Sequence, residues 1–169
     1  MGKSIVIREP RPDELELLTN LCVEHAKDAG LIEHDQLDRA HTKQQLKQMM
    51  ISPDFKIFVN TNNDKFDGYI VGNITQKLWN NSLYGEIILY FVHPESRNKY
   101  LADDLFNSIE DWFKENGCLY SQASCLMYDK NYEPYERWLH RSTTYLKTRH
   151  MNEVGYHYVK PLERDEWVA

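Results

Sequence analysis

The sequence predicts an α/β domain built on a mixed, mostly antiparallel sheet. Two observations predict it. The apolar periodicities read in the order β, α, α, β, β, β, α, β, α, β along nearly all of the 169 residues. Within that order, Gly85 to Gly117 reads as a buried strand, a loop with one proline and an amphipathic helix, and a further strand follows. A helical crossover joins parallel strands, whereas the short turns before it join antiparallel ones.

The elements follow in chain order. Ser4 to Arg8 is a short strand ended by Pro10 and Pro12. The next helix carries Leu15, Leu18, Leu21, Cys22 and His25 on one face and closes at Gly30. On that face His25 reads as a hydrogen-bonded core histidine rather than a ligand. Leu31 to Ala40 has no period and reads as a loop. Thr42-Lys43-Gln44-Gln45 reads as a capping box for a helix with Leu46, Met49 and Met50 on one face, stopped at Ser52-Pro53. Phe55 to Asn60 alternates as a strand, with Phe55, Ile57 and Val59 on one face. Thr61 to Lys65 is a turn, and Phe66 to Gln76 is the return strand of a hairpin. Lys77 to Leu83 is a second turn. Glu86 to His93 is nearly all apolar and ends at Pro94, as a strand covered on both faces does. From Leu101 the spacing is helical, with Leu101, Leu105, Ile109 and Trp112 down one face and Ala102, Phe106 and Phe113 beside them. Gly117 sits at the C-cap position. Cys118 to Met127 is the strand parallel to Glu86–His93. A helix runs from Pro134 to about Met151 with a break near Ser142, and Val154 to Val159 is the closing strand.

A chain of this length makes one domain, residues 1–169, with a substantial core. The net charge of −6 disfavours nucleic acid and anionic membranes as partners. No apolar run approaches the length of a membrane span, and Met1 to Arg8 lacks the apolar stretch of a signal peptide. A cytoplasmic location without membrane contact is expected. Cys22, Cys118 and Cys125 lack zinc-ligand spacing, and the 7 histidines form no metal motif, so no metal site is expected. Arg137, Arg141, Lys147, Arg149, His150, His157 and Lys160 tilt the C-terminal third toward basic, which reads first as a solvated helix face.

A buried strand that turns into a helix presents that helix's free amides and positive dipole end at the strand's C-terminus, a ready site for phosphate. At this junction stand Val92-His93-Pro94 and then Arg97-Asn98-Lys99-Tyr100-Leu101-Ala102. The segment resembles the acetyl-CoA-binding core of the GNAT superfamily of N-acetyltransferases, where a Val-x-Pro-like strand end precedes Arg/Gln-x-x-Gly-x-Gly/Ala opening a helix. Arg97 and Ala102 fit that pattern, and Tyr100 stands where the first glycine is usual. Gly68-Tyr69-Ile70-Val71-Gly72 resembles the family's third strand and Val154-Gly155-Tyr156 its closing strand, so the resemblance spans roughly residues 4 to 160. It implies a GNAT-like three-layer domain with helices on both faces. It also implies acetyl-CoA as co-substrate and N-acetyltransfer to an amine, borne by a small molecule or a protein. In the family the helices between the first two strands wall the acceptor site; here a plain role in covering the sheet is equally compatible. A homo-oligomer or larger assembly is compatible with the resemblance as well.

The resemblance also distributes roles. Pro94 has no N–H, so strand pairing stops there. The pantetheine arm is expected along the backbone of Phe91, Val92 and His93. The pyrophosphate is expected at the amides of Arg97, Asn98, Lys99, Tyr100, Leu101 and Ala102, with positive charge from Arg97 and Lys99. Glu86 stands where histone-type members carry the general base, and is expected on the strand face of Ile88, Tyr90 and Val92. Partial burial raises a carboxylate's pKa toward usefulness as a base. The family's usual Tyr acid falls on Met151, which cannot donate a proton; His150 and Tyr145 are nearby but do not match the position. A thiolate can depart without full protonation. Tyr100, Asp103 and Asp104 beside the phosphate site, with Met151, favour an alternative: a GNAT-fold protein without catalysis, used as a structural or interaction module in an assembly such as a virus particle.

Overall fold

The computed structural model describes residues 6–29, 37–62, 65–78, 80–97, 99–123 and 135–151. The chain forms two compact units, Met1–Ser124 and Cys125–Ala169. In the first, β1 (Val6–Arg8), β2 (Phe55–Asn62), β3 (Lys65–Gln76), β4 (Leu83–Val92) and β5 (Ser121–Ala123) form one sheet in that order. Every neighbouring pair is antiparallel except β4 with β5, which is parallel. The mixed, mostly antiparallel sheet and the parallel partnership across the helical crossover are therefore as the sequence predicts.

Helices α1 (Leu15–Asp28) and α2 (Arg39–Ile51) cover one face. Their Leu18, Leu21, Cys22 and Leu46 are buried against Ile57, Val59, Tyr69, Val71 and Phe91 of the sheet. Helix α3 (Lys99–Glu115) covers the other face with Leu101, Leu105, Phe106, Ile109 and Phe113, all buried. Burying a large apolar side chain contributes roughly 1.5–3 kcal/mol each, so these two layers supply most of the driving force. Phe113 rather than Trp112 completes the buried stripe. Trp112 is half-buried, with Lys56 Nζ 5.9 Å from its ring centroid. Two glycines let α3 approach closely: a Cβ would fall 2.7 Å from the Phe113 ring at Gly72 and 2.3 Å from it at Gly85.

The helix ends follow from local chemistry. Helix α2 starts at Arg39, earlier than the Thr42 box suggests, because Asp38 is the N-cap and accepts from the His41 N–H at 2.9 Å. Thr42 instead donates its hydroxyl to the Asp38 carbonyl at 2.9 Å. After α3, Gly117 adopts φ 78 and the Cys118 N–H donates back to the Phe113 carbonyl at 3.0 Å, a left-handed closure that glycine favours. Before α1, Glu14 is buried, and the Arg8 guanidinium donates to both its oxygens at 2.7 and 2.6 Å. Those bonds, with a further one from the Arg11 N–H, hold the Glu14 carboxyl down at about 2.

In the second unit α4 (Tyr135–Thr148) is continuous, so the break expected near Ser142 is absent. Two residues past its end at Thr148, His150 takes a φ of 60. The closing strand expected at 154–159, and the expected continuation of β5 beyond Ala123, lie outside the described residues. Among the described residues, no helix is long and apolar enough to cross a membrane.

Candidate active site

β4 is the spine of the site, and its geometry turns on one extra residue. Val71 of β3 pairs with Leu89 and its neighbour Gly72 with Ile87, so Ile88 has no partner on β3 and forms a β-bulge. A bulge shifts the alternation of side chains. Beyond it, Phe91 faces the α1/α2 core and Tyr90 packs on Phe106 of α3, ring centroids 5.1 Å apart. Before it, Gly85 faces Phe113 of α3. Glu86, the next residue, must therefore face the α1/α2 side. The expected shared face of Glu86 with Tyr90 and Val92 is thus corrected: Glu86 lies on the face of Leu89 and Phe91. It is half-buried there, flanked by Asn73 on β3 and Gln122 on β5.

The other end of β4 leads into the loop. The His93 N–H donates to the Asp67 carbonyl of the β3 segment at 2.7 Å. By strand alternation the backbone groups of Val92 are turned to the opposite edge, the β5 side. The Val92 carbonyl accepts there from Arg97 Nε at 3.0 Å. Pro94–Ser96 form a short 3-10 turn, with the Ser96 N–H on the His93 carbonyl at 2.9 Å. Lys99 opens α3. Leu101 is buried beneath it, Ala102 is half-buried, and Tyr100 is 74% exposed and so takes no part in the core. Residue 98 lies outside the described residues.

Arg97 is already engaged by the protein. Besides the Val92 carbonyl, its guanidinium forms an ion pair with Asp28, the last residue of α1, and lies 5.9 Å from the centroid of the Phe91 ring. Phe91 in turn stacks on His25, centroids 4.9 Å apart. His25 Nδ1 and the Tyr69 hydroxyl are 2.7 Å apart. Burial pushes His25 down to about 4 and Cys22 up to about 11. Tyr69 is driven well above its ordinary range, again by burial. The reading of His25 as a hydrogen-bonded core histidine holds, since a neutral ring wedged between Phe91 and Tyr69 packs α1 on the sheet.

Sequence reasoning missed Asp28, Asn73, Tyr84, Tyr120 and Gln122. Strand register brings the last four together: Tyr84 immediately precedes Gly85 and Glu86 on β4, and its ring stacks on Tyr120 at 5.4 Å. Met151, Tyr145 and His150 belong to the second unit. A concavity of about 190 Å³ lies elsewhere, between the end of α2 and β2, lined by Met49, Pro53 and Phe55 among others; it touches neither Glu86 nor the loop.

The sequence matches the acetyltransferase (GNAT) family over residues 19–132. No curated protein sequence matches the chain significantly. Among solved structures, a possible acetyltransferase from Clostridium difficile 630 superposes with a TM-score of 0.70 at 21% identity, over 94% of this chain and 97% of that one. An aminoglycoside acetyltransferase from an uncultured soil metagenomic sample, solved with sisomicin, gives 0.65 at 15% identity, over 94% and 97%. An aminoglycoside N-acetyltransferase solved with CoA gives 0.70 at 13% identity, over 96% and 97%. At such identities the structural likeness speaks for the fold.

Proposed function

Since the chain belongs to the acetyltransferase (GNAT) family, we propose that it moves the acetyl group of acetyl-CoA to an amine, with Glu86 as general base. The observation that carries this reading is the make-up of β4. One strand bears a half-buried carboxylate near its start and, at its end, backbone groups turned toward the β5 edge, with the N-terminus of α3 beyond.

Acetyl-CoA, when bound, supplies an activated thioester carbonyl, and the new C–N bond forms as the C–S bond breaks. The residues of this chain do the rest. An alkylamine is mostly protonated at neutral pH, its reference pKa being about 10.4, and an ammonium has no lone pair to attack with. Glu86 takes that proton, directly or through one water. The Val92 amide offers a donor to the pantetheine arm along the strand edge. The backbone amides of Arg97 to Ala102, with the positive end of α3, would hold the pyrophosphate. The Arg97 side chain shapes this loop through Asp28 and Val92.

Titration calorimetry of the purified chain with acetyl-CoA tests the reading. Micromolar binding is expected. No heat at millimolar ligand overturns it and leaves the fold as a module without catalysis.

A further inference from the structure

β2 is longer than the strand that covers its outer edge. It runs over Phe55–Asn62, while β1 holds only Val6–Arg8 and pairs with Val59, Asn60 and Thr61. β1 therefore leaves the outer edge of residues 55–58 uncovered. Ladder alternation says which backbone groups face that edge. The Ile74 N–H donates to the Asp54 carbonyl at 2.9 Å, so Asp54, and with it Lys56 and Phe58, turn their backbone groups to β3. Phe55 and Ile57 turn theirs outward. The Phe55 N–H donates to the Ser52 carbonyl at 3.4 Å. The Ile57 N–H and C=O have no partner among the described residues. Continuing the register of β1 sets Pro10 against Ile57, and proline has no N–H to give that carbonyl. Yet Ile57 is only 3% exposed. Enclosed backbone groups are ordinarily paired, so this donor and acceptor, side by side, call for a partner that carries both.

The surroundings of these groups are apolar. The concavity of about 190 Å³ has Pro10, Phe55 and Ile57 in its wall, together with Met49 and Met50 of α2. A cavity of about 150 Å³ already holds a benzene-sized group, so this one has room for one mid-sized side chain. A residue paired with Ile57 projects its side chain on the same face as Ile57 does. That is the α1/α2 face, where Met49 and Met50 lie. Methionine adapts its shape to such a guest. In the same wall Lys56 Nζ and Glu9 Oε1 are 2.9 Å apart. They offset each other's charge, so the guest they favour is neutral. Ile51, next along α2, is 78% exposed and extends the apolar surface outward.

We propose that this edge of β2 is a docking site for an extended, uncharged peptide segment of another protein. The segment adds beside β2 as a short strand. One of its residues gives its N–H to the Ile57 carbonyl and takes the Ile57 N–H on its own carbonyl. The side chain of that residue, of leucine or methionine size, enters the concavity. Sheet edges take peptides in this way: backbone bonds supply affinity, and a pocket selects the alternate side chain. A single residue of extended chain brings the donor, the acceptor and the apolar branch together. Pro10 keeps the protein from filling the edge with its own strand. The inference is independent of acetyl transfer, since the concavity touches neither Glu86 nor the loop after β4.

NMR on the ¹⁵N-labelled full chain tests the site. The probe is the blocked peptide acetyl-Ser-Thr-Leu-Thr-Ser-amide, and its two controls carry N-methyl-leucine or alanine at the centre. The expected result is a saturable downfield shift of the Ile57 amide proton with the leucine peptide. N-methylation removes the donor to the Ile57 carbonyl, and alanine leaves the concavity unfilled. Each change should weaken the apparent Kd roughly tenfold. Met50→Trp, which fills the concavity from α2, should abolish the shift. Where that variant does not fold, the three peptides on the parent chain still decide. No shift of the Ile57 signal at millimolar leucine peptide overturns the site, and so does equal binding of the N-methylated peptide. A shift that follows protein concentration, and that the peptide does not displace, assigns the edge to a second copy of the chain and overturns the peptide partner.

Discussion

Arg97, in the turn between β4 and α3, is ion-paired with Asp28, the final residue of α1. The contact ties the loop expected to hold the pyrophosphate to a helix of the opposite layer. Both side chains are partly exposed, at 30% and 23%, so the pair itself contributes about 1 kcal/mol or less to stability. Its larger effect is on loop position. Asp28→Ala should weaken acetyl-CoA binding about as much as Arg97→Ala, with the double variant no worse than either. Calorimetry on the three proteins checks this. Loss of affinity in Arg97→Ala alone would show that the guanidinium meets the phosphate directly.

Glu86→Gln keeps the shape of the side chain and removes its ability to take a proton. Turnover should fall by about 10²–10⁴-fold, the usual contribution of a general base. Acetyl-CoA affinity should stay the same, because Glu86 lies in the first half of β4 and the loop follows its last residue, Val92. The deficit should narrow as pH rises toward the amine pKa of about 10.4, where free amine needs no base. A rate-against-pH series for parent and variant decides it; matching curves at every pH would remove Glu86 from the chemistry.

Acid should destabilise the fold in two windows. Burial, with a smaller contribution from the nearby Arg97 charge, holds His25 at about 4, below its ordinary 6.5. Between those values the unfolded chain binds the proton and the folded one does not, so this group's stabilisation is complete above pH 6.5 and lost as pH falls toward 4. Hydrogen bonds from Arg8 hold Glu14 at about 2 against an ordinary 4.5. Its stabilisation is complete above pH 4.5 and lost as pH falls toward 2. Thermal unfolding across pH should show both declines. His25→Gln should remove the upper one and Glu14→Gln the lower.

Gly85→Ala places a methyl group 2.3 Å from the Phe113 ring. Overpacking of this kind costs about 1–3 kcal/mol, seen as a lower midpoint in denaturant titration. Phe113→Leu, which shortens the obstructing side chain, should recover part of the loss in the double variant. Simple additivity would mean that α3 moves away from the sheet instead.

The layers of the first unit were legible because each surface helix and outer strand has one apolar face. Phe55, Ile57 and Val59 alternate, and Leu101, Leu105 and Ile109 recur at helical spacing. The face of Glu86 was not legible for the same physical reason that β4 is so apolar. A strand buried on both sides shows no alternation, and the bulge at Ile88 leaves no trace in the run Ile87-Ile88-Leu89-Tyr90-Phe91. The start of α2 was misplaced because Asp38 and Thr42 are both good caps, and only the fold selects the earlier one. The Arg97–Asp28 pair joins residues 69 apart, a separation that no local pattern reports. Asn73 and Gln122 became site candidates only once register set them beside Glu86.

The bulge at Ile88 also governs which inherited changes this strand can absorb. Losing that one residue would make the pairing of β3 and β4 continuous and rotate the segment before it by half a turn relative to the segment after it. Glu86 would then point under α3, toward the place where the Phe113 ring packs, while Leu89 and Phe91 kept their orientation. A substitution keeps the register of β3 and β4, whereas a single-codon deletion between Glu86 and Phe91 exchanges inside for outside in half the strand. The length of chain between Glu86 and the loop is thus a fixed dimension of this strand, whatever side chains fill it.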